Sequence, residues 1–178
     1  RHTRCSRDWS SDVCSSDLTY VEYTTSEGAK GFLGIEVKYT ELEYKLIPKS
    51  TEAYALANES APYYTVTQQS GVFCEGAGNI LRQNRFRQIW RNQLLGEALL
   101  MASNNEFRHF TSITLYPSGN KHFTDTIEAY KHYLLPDYKN RVVGITFEDL
   151  FDALSEYAES NEYAEWVNWL KYRYIIPQ

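Results

Sequence analysis

Glu36 and Lys38 are the residues of this chain best placed to act together on a substrate. They lie in Gly31-Phe-Leu-Gly-Ile-Glu-Val-Lys-Tyr-Thr-Glu41, which reads as a strand with two different faces. Side chains alternate along a strand, so Phe32, Gly34, Glu36 and Lys38 share one face and Leu33, Ile35, Val37 and Tyr39 the other. The apolar set is expected to be the buried back, with the carboxylate and the amine projecting from the open side. Gly34 would leave room above them. A lysine two residues beyond a carboxylate sits about 7 Å along the same face. That spacing suits phosphodiester hydrolysis, in which a carboxylate holds a divalent ion and a nearby cation meets the developing charge. Glu-x-Lys by itself is equally an ordinary solvated strand face, and Glu43-Tyr-Lys45 repeats it seven residues on. The first copy differs from the second in its strict alternation and its place at the end of a hairpin arm.

The elements around the pair follow from turn and period signals. Thr19 to Thr24 forms one arm, Ser26 to Gly31 the turn and Phe32 to Thr40 the second arm of an antiparallel hairpin. Whatever stands opposite Glu36 and Lys38 therefore comes from about residues 17 to 20. Ser50 caps a short helix over Thr51 to Asn58, and Ala61-Pro-Tyr-Tyr64 begins a loop. Gly76-Ala-Gly78 lacks the third glycine and the preceding strand of a dinucleotide-binding fingerprint. Arg82 to Ala102 is the strongest helix, with Phe86, Ile89, Trp90, Leu94, Ala98 and Leu99 at helical spacing. No acid occurs between Gly76 and Gly96, whereas Arg82, Arg85, Arg87 and Arg91 are basic and Gln83, Gln88, Asn92 and Gln93 add amides. Charge is segregated along this chain.

Phe110 to Tyr116 reads as a strand stopped by Pro117-Ser-Gly-Asn120, and Thr124 is expected to cap the helix that follows to Tyr133. Arg141 to Thr146 is another strand, and Thr146-Phe-Glu-Asp149 has the form of a capping box. Ser160 caps a last helix carrying Tyr163, Trp166, Leu170 and Tyr174. Strands alternating with helices give a mixed α/β fold, one sheet covered by helices.

Composition bounds the function classes. The net charge is −5 with 15 tyrosines. Mild acidity weighs against a general nucleic-acid binder, although the basic helix keeps a local one open. No apolar run is long enough for a membrane span, so a soluble and most simply cytoplasmic protein is expected. His109, His122 and His132 share no metal-ligand spacing and read as structural or surface residues. No Gly-x-Ser-x-Gly element supports a serine hydrolase, and Cys74 has no histidine beside it in sequence.

Residues 1–18, RHTRCSRDWSSDVCSSDL, have no strand or helix period and resemble translated sequencing-adapter sequence. They are read as an artefactual tail, which removes Cys5 and Cys14 from consideration and leaves no cysteine pair for a disulfide or zinc site. Residues 19–178 are then expected to form a single domain that is truncated at its N-terminus.

Gly34-Ile-Glu-Val-Lys-Tyr-Thr-Glu41 resembles the Glu-x-Lys half of the PD-(D/E)xK nuclease superfamily, the restriction-endonuclease-like fold. Gln88-Ile-Trp-Arg-Asn-Gln-Leu-Leu95 resembles the helix that follows in one group of bacterial members, and Phe110 to Asn120 the next strand and turn. The resemblance implies a core built on a β-hairpin or meander in a mixed sheet flanked by helices. It implies a Mg²⁺-dependent nuclease, with Mn²⁺ as the alternative ion, acting on nucleic acid and most naturally DNA. Glu36 would then be a metal ligand, Lys38 the catalytic lysine, and the Val37 carbonyl a further metal contact. The family's first Asp typically precedes the Glu by some 15 to 20 residues, and Asp17 stands at that distance inside the 1–18 segment. Gln88, Arg91 and Asn92 would contact substrate or orient the site. Duplex cutting would favour a homodimer. The alternatives are a catalytically inactive binding module on the same fold, and a structural subunit that uses its aromatic C-terminal helices as an interface.

Overall fold

The computed structural model describes residues 18–40, 43 and 45–175. Four strands lie in the order β1 (Leu18–Thr24), β2 (Lys30–Val37), β3 (Phe107–Tyr116) and β4 (Val142–Thr146). β1 and β2 form the expected antiparallel hairpin, with Leu18 opposite Glu36 and Thr24 opposite Lys30. β2 runs parallel to β3, and β3 parallel to β4, so the sheet is mixed. Of an antiparallel meander the described residues hold this one hairpin. The crossover from β2 to β3 carries four helices: α1 (Thr51–Ala57), α2 (Pro62–Gln69), α3 (Ala77–Leu81) and the long α4 (Asn84–Ala102). α5 (Lys121–Lys131) and a 3-10 turn at Pro136–Arg141 join β3 to β4, and α6 (Phe147–Glu156) and α7 (Asn161–Tyr174) follow.

The caps explain where several helices start. Ser50 accepts a hydrogen bond from the Ala53 amide at 3.1 Å, Thr146 from Asp149 at 3.0 Å and Ser160 from Tyr163 at 3.1 Å. Each satisfies an amide that a helix start leaves without a partner. Two expectations change. Residues 62–69 are helical rather than a loop, because Pro62 occupies the first turn, where its missing N–H costs nothing. Tyr63 and Tyr64 of this helix pack their rings on Trp90, and the Trp90 indole donates to Thr67 at 3.0 Å. The helix after β3 starts at Lys121 with Asn120 before it, so Thr124 is internal. Thr124 shares a hydrogen bond with the Tyr116 hydroxyl instead.

Both faces of the sheet are covered. On one face Tyr116 and Val142 join Phe86, Ile89, Trp90 and Leu94 of α4 and Phe123, Ile127 and Tyr130 of α5 in the main core. On the other, Ile35, Tyr39, Leu115 and Ile145 meet Phe147, Phe151, Val167 and Leu170 of α6 and α7. The expectation that the Leu33–Tyr39 set is the buried back of β2 therefore holds only in part: Ile35 and Tyr39 pack on α6 and α7, but the charged face is the more deeply buried. Val37 is 43 % exposed, whereas Glu36 and Lys38 are 4 % and 3 % exposed. The cause is topological, since the crossover lays α4 over the face that carries the charges.

Gly96 sets how closely α4 approaches β3, because a Cβ there would lie inside the Phe110 ring. Gly96→Ala is expected to cost about 1–3 kcal/mol by overpacking, despite alanine's better helix propensity. Urea unfolding measures this, and a neutral or stabilising result would show that the ring has somewhere to go.

Candidate active site

Glu36 is the centre of a closed polar cluster. The Lys38 ammonium lies 2.9 Å from Glu36 Oε1. The Gln88 side-chain amide donates to the same oxygen, and the Asn92 amide donates to Oε2 at 2.6 Å. Gln88 and Asn92 are one turn apart on α4, so a single helix face delivers both amides. β2 supplies the charges in alternation, and Lys38 is fixed just beyond the strand by its backbone amide, which donates to Leu115 O at 2.8 Å. Thr114 of β3 is paired with Glu36 and is buried on the same face.

The position suits chemistry on a ligand. The cluster lies at the carboxyl ends of parallel strands β2 and β3, where α/β sheets commonly bind ligands. Burial pushes the Glu36 carboxyl above its usual range, opposed by Lys38, then by Arg91 and the Asn92 amide. A carboxyl whose pKa is raised in the fold binds more protons folded than unfolded. Stability from this group therefore falls as pH rises from about 4.3 through the raised value. Lys38→Met removes the main opposing charge and should push the Glu36 value higher still. Its stability loss should extend to higher pH than in the parent, which denaturant titrations between about pH 4 and 8 would read. Identical pH profiles would mean that Lys38 does not set the ionisation of Glu36.

Arg91 connects this cluster to the α1–α2 segment. Its guanidinium lies 3.8 Å from Glu52 Oε1, and its charge also acts on Glu36. Glu52 Oε1 is shared with Arg87 at 3.4 Å and with the Tyr63 hydroxyl at 2.9 Å. A second buried network lies further along α4, where Tyr130 donates to Gln93 at 2.8 Å, Gln93 to Glu97, and Arg141 to Glu97 at 2.5 Å.

The structure thus brings Glu36, Lys38, Gln88 and Asn92 together, with Arg91 at the edge. Gln88 and Asn92 spend an amide on Glu36 rather than facing outward. The Val37 side chain points to the opposite face, which leaves only its backbone for a role at the pair. Asp17 lies outside the described residues. Glu22 pairs with Phe32, four residues from Glu36 toward the turn, and accepts from the Tyr20 hydroxyl. The ties of Glu52 to α4 and of Glu97 to Arg141 had no sequence signal, because an acid on a helix ordinarily reads as a solvated face.

Searches among curated proteins and solved structures find no match. The model of one family, described as the PD-(D/E)XK nuclease superfamily, matches residues 3–176. That match spans nearly the whole chain, including the Glu36–Lys38 strand and the amide-bearing helix that closes over it, and this chain belongs to the PD-(D/E)XK nuclease superfamily.

Proposed function

We propose that this chain hydrolyses phosphodiester bonds in nucleic acid, DNA foremost, with Mg²⁺ as cofactor and Mn²⁺ as its substitute. The observation that carries the reading is the Glu36–Lys38 pair, 2.9 Å apart on one strand face, with the carboxylate oriented by two amides of the following helix. A carboxylate oxygen is the hard donor that these ions prefer, and such ions keep several waters, so one or two protein carboxylates suffice. Glu36 would hold the ion, with the Val37 carbonyl and Asp17 as further ligands. The bound ion supplies an acidified water and charge neutralisation at the phosphate. Gln88 and Asn92 fix the angle of the Glu36 carboxylate as outer-shell donors do. Lys38 holds a proton and a positive charge beside the attacked phosphate, and Arg91 offers a second cation from the rim. A phosphodiester reaches so buried a pair only when the covering side chains swing aside.

The first test is incubation of the full chain with supercoiled plasmid, single-stranded DNA and RNA in Mg²⁺ or Mn²⁺. Nicked or shortened product from the parent and none from Lys38→Ala is the expected result. A second reading, an inactive binding module on this fold, is favoured by one observation. Among the described residues no group of three or more His, Cys, Asp or Glu could hold a metal. Binding that weakens with salt, with no product in either metal from a folded protein, would select it.

A further inference from the structure

Arg85 and His122 are joined through one buried hydroxyl. Arg85 is in the first turn of α4 and His122 in the first turn of α5. Arg85 Nε donates to Thr126 Oγ1 at 3.1 Å, and Thr126 Oγ1 lies 3.5 Å from His122 Nε2. Thr126 is fully buried, so this hydroxyl is a fixed post rather than a solvated contact. The Phe86 ring holds the guanidinium from a second side, with the Arg85 carbon 5.3 Å from its centroid. The imidazole stands edge-on to Phe123.

The hydrogen-bond inventory sets what remains on offer. Thr126 Oγ1 accepts from Arg85 and has one hydrogen to give. With Nε2 beside this hydroxyl, His122 Nδ1 is the ring nitrogen left to meet a ligand. The Arg85 side chain is exposed, and Nε is its one nitrogen engaged by a hydrogen bond among the described residues. Its two terminal nitrogens therefore form a pre-oriented fork of the kind that binds phosphate oxygens. Two helix starts add partial positive charge at the same point.

Arg85 also lies one turn, about 5 Å along the helix axis, before Gln88, whose amide rests on Glu36. We propose that Arg85 and His122, tied through Thr126, form a phosphate subsite that grips a backbone phosphate neighbouring the one attacked at Glu36 and Lys38. This rests on the nuclease reading, and it assigns α4 and α5 together as the wall along which the strand runs. Asp125 is exposed beside Thr126, so the subsite takes one phosphate rather than a run of them.

The test is binding of labelled duplex and single-stranded oligonucleotides by the full chain in EDTA, followed across salt concentration. One lost phosphate contact lowers the slope of log K against log salt by about 0.9 for duplex and 0.7 for a single strand. Arg85→Ala should show that loss, and Arg85→Lys should retain the slope, which separates lost charge from lost fold. His122→Ala should lower affinity about fivefold, the loss of one hydrogen bond. Lys171→Ala, whose side chain pairs with Asp152 between α7 and α6, should leave both unchanged. A parent and an Arg85→Ala variant with equal slopes would overturn the subsite while leaving the nuclease reading intact. If Arg85→Ala loses only the binding of inorganic phosphate, the site serves a free anion and the proposal falls. A parent that binds no oligonucleotide removes both.

Discussion

Lys38→Ala and Glu36→Gln are each expected to lower cleavage by roughly 10²- to 10⁴-fold, the loss expected when a proton-transfer or charge-stabilising group leaves the transition state. The two losses differ in origin. In the proposed reaction, loss of Lys38 would remove the cation closest to the developing charge. Loss of the Glu36 carboxylate would remove the proposed metal-binding oxygens, and the Gln88 and Asn92 amides would face a side chain that is itself partly a donor. Each change also deprives an almost fully buried charge of its ion-pair partner in this cluster. Breaking such a pair from one side costs about 3–5 kcal/mol. Activity must therefore be compared under conditions where circular dichroism shows each variant folded. The double variant Glu36→Gln/Lys38→Met removes both charges and should be less destabilised than the sum of the singles, by an amount a double-mutant cycle reads. Full cleavage by both folded single variants would sink the catalytic assignment. Additive destabilisation would show that the pair is not coupled in the fold.

The pair was legible because a strand's period of two is unambiguous once a hairpin turn precedes it. The same period could not say which face would be buried. A hairpin arm at a sheet edge has one dry face, but β2 is flanked by β1 and β3 and sits under two helical layers. The apolar side met α6 and α7 only in part, leaving Val37 open, and the charged side disappeared beneath α4. The long helix showed in its apolar spacing, and the caps at Ser50, Thr146 and Ser160 in their residue types. Residues 62–69 were misread because proline signals both loop and first helical turn, and only the packing of Tyr63 and Tyr64 on Trp90 decides. Long-range ties such as Glu52 to Arg87 or Arg85 to Thr126 join residues 35 and 41 positions apart in sequence and depend on how helices meet. No local pattern carries that information.

The largest stability effect away from Glu36 and Lys38 is expected at Arg141, at the end of the 3-10 turn that leads into β4. Its partner Glu97 is 2 % exposed, and α4 gives that carboxylate only the Gln93 amide as a further donor. Arg141→Ala removes the counter-charge and leaves a carboxylate inside the main core, at a cost of about 3–5 kcal/mol. Tyr130→Phe, which removes the hydroxyl that donates to Gln93, should cost only about 1 kcal/mol because no charge is left alone. Pairing Arg141→Met with Glu97→Gln should recover most of the loss, since a neutral amide keeps the bond from Gln93 without needing a cation. Denaturant unfolding of the three variants separates these costs. Gln93 directly follows Asn92 on α4 and Glu97 lies one turn beyond it, so the network that holds them also fixes the rotation at which Gln88 and Asn92 meet Glu36. Arg141→Ala should accordingly lower cleavage even at temperatures where it is fully folded, whereas the compensated double variant should not. A loss no larger than the roughly 0.5 kcal/mol of a surface substitution would mean that water already shields Glu97 and that α4 needs no charge pair to hold its register.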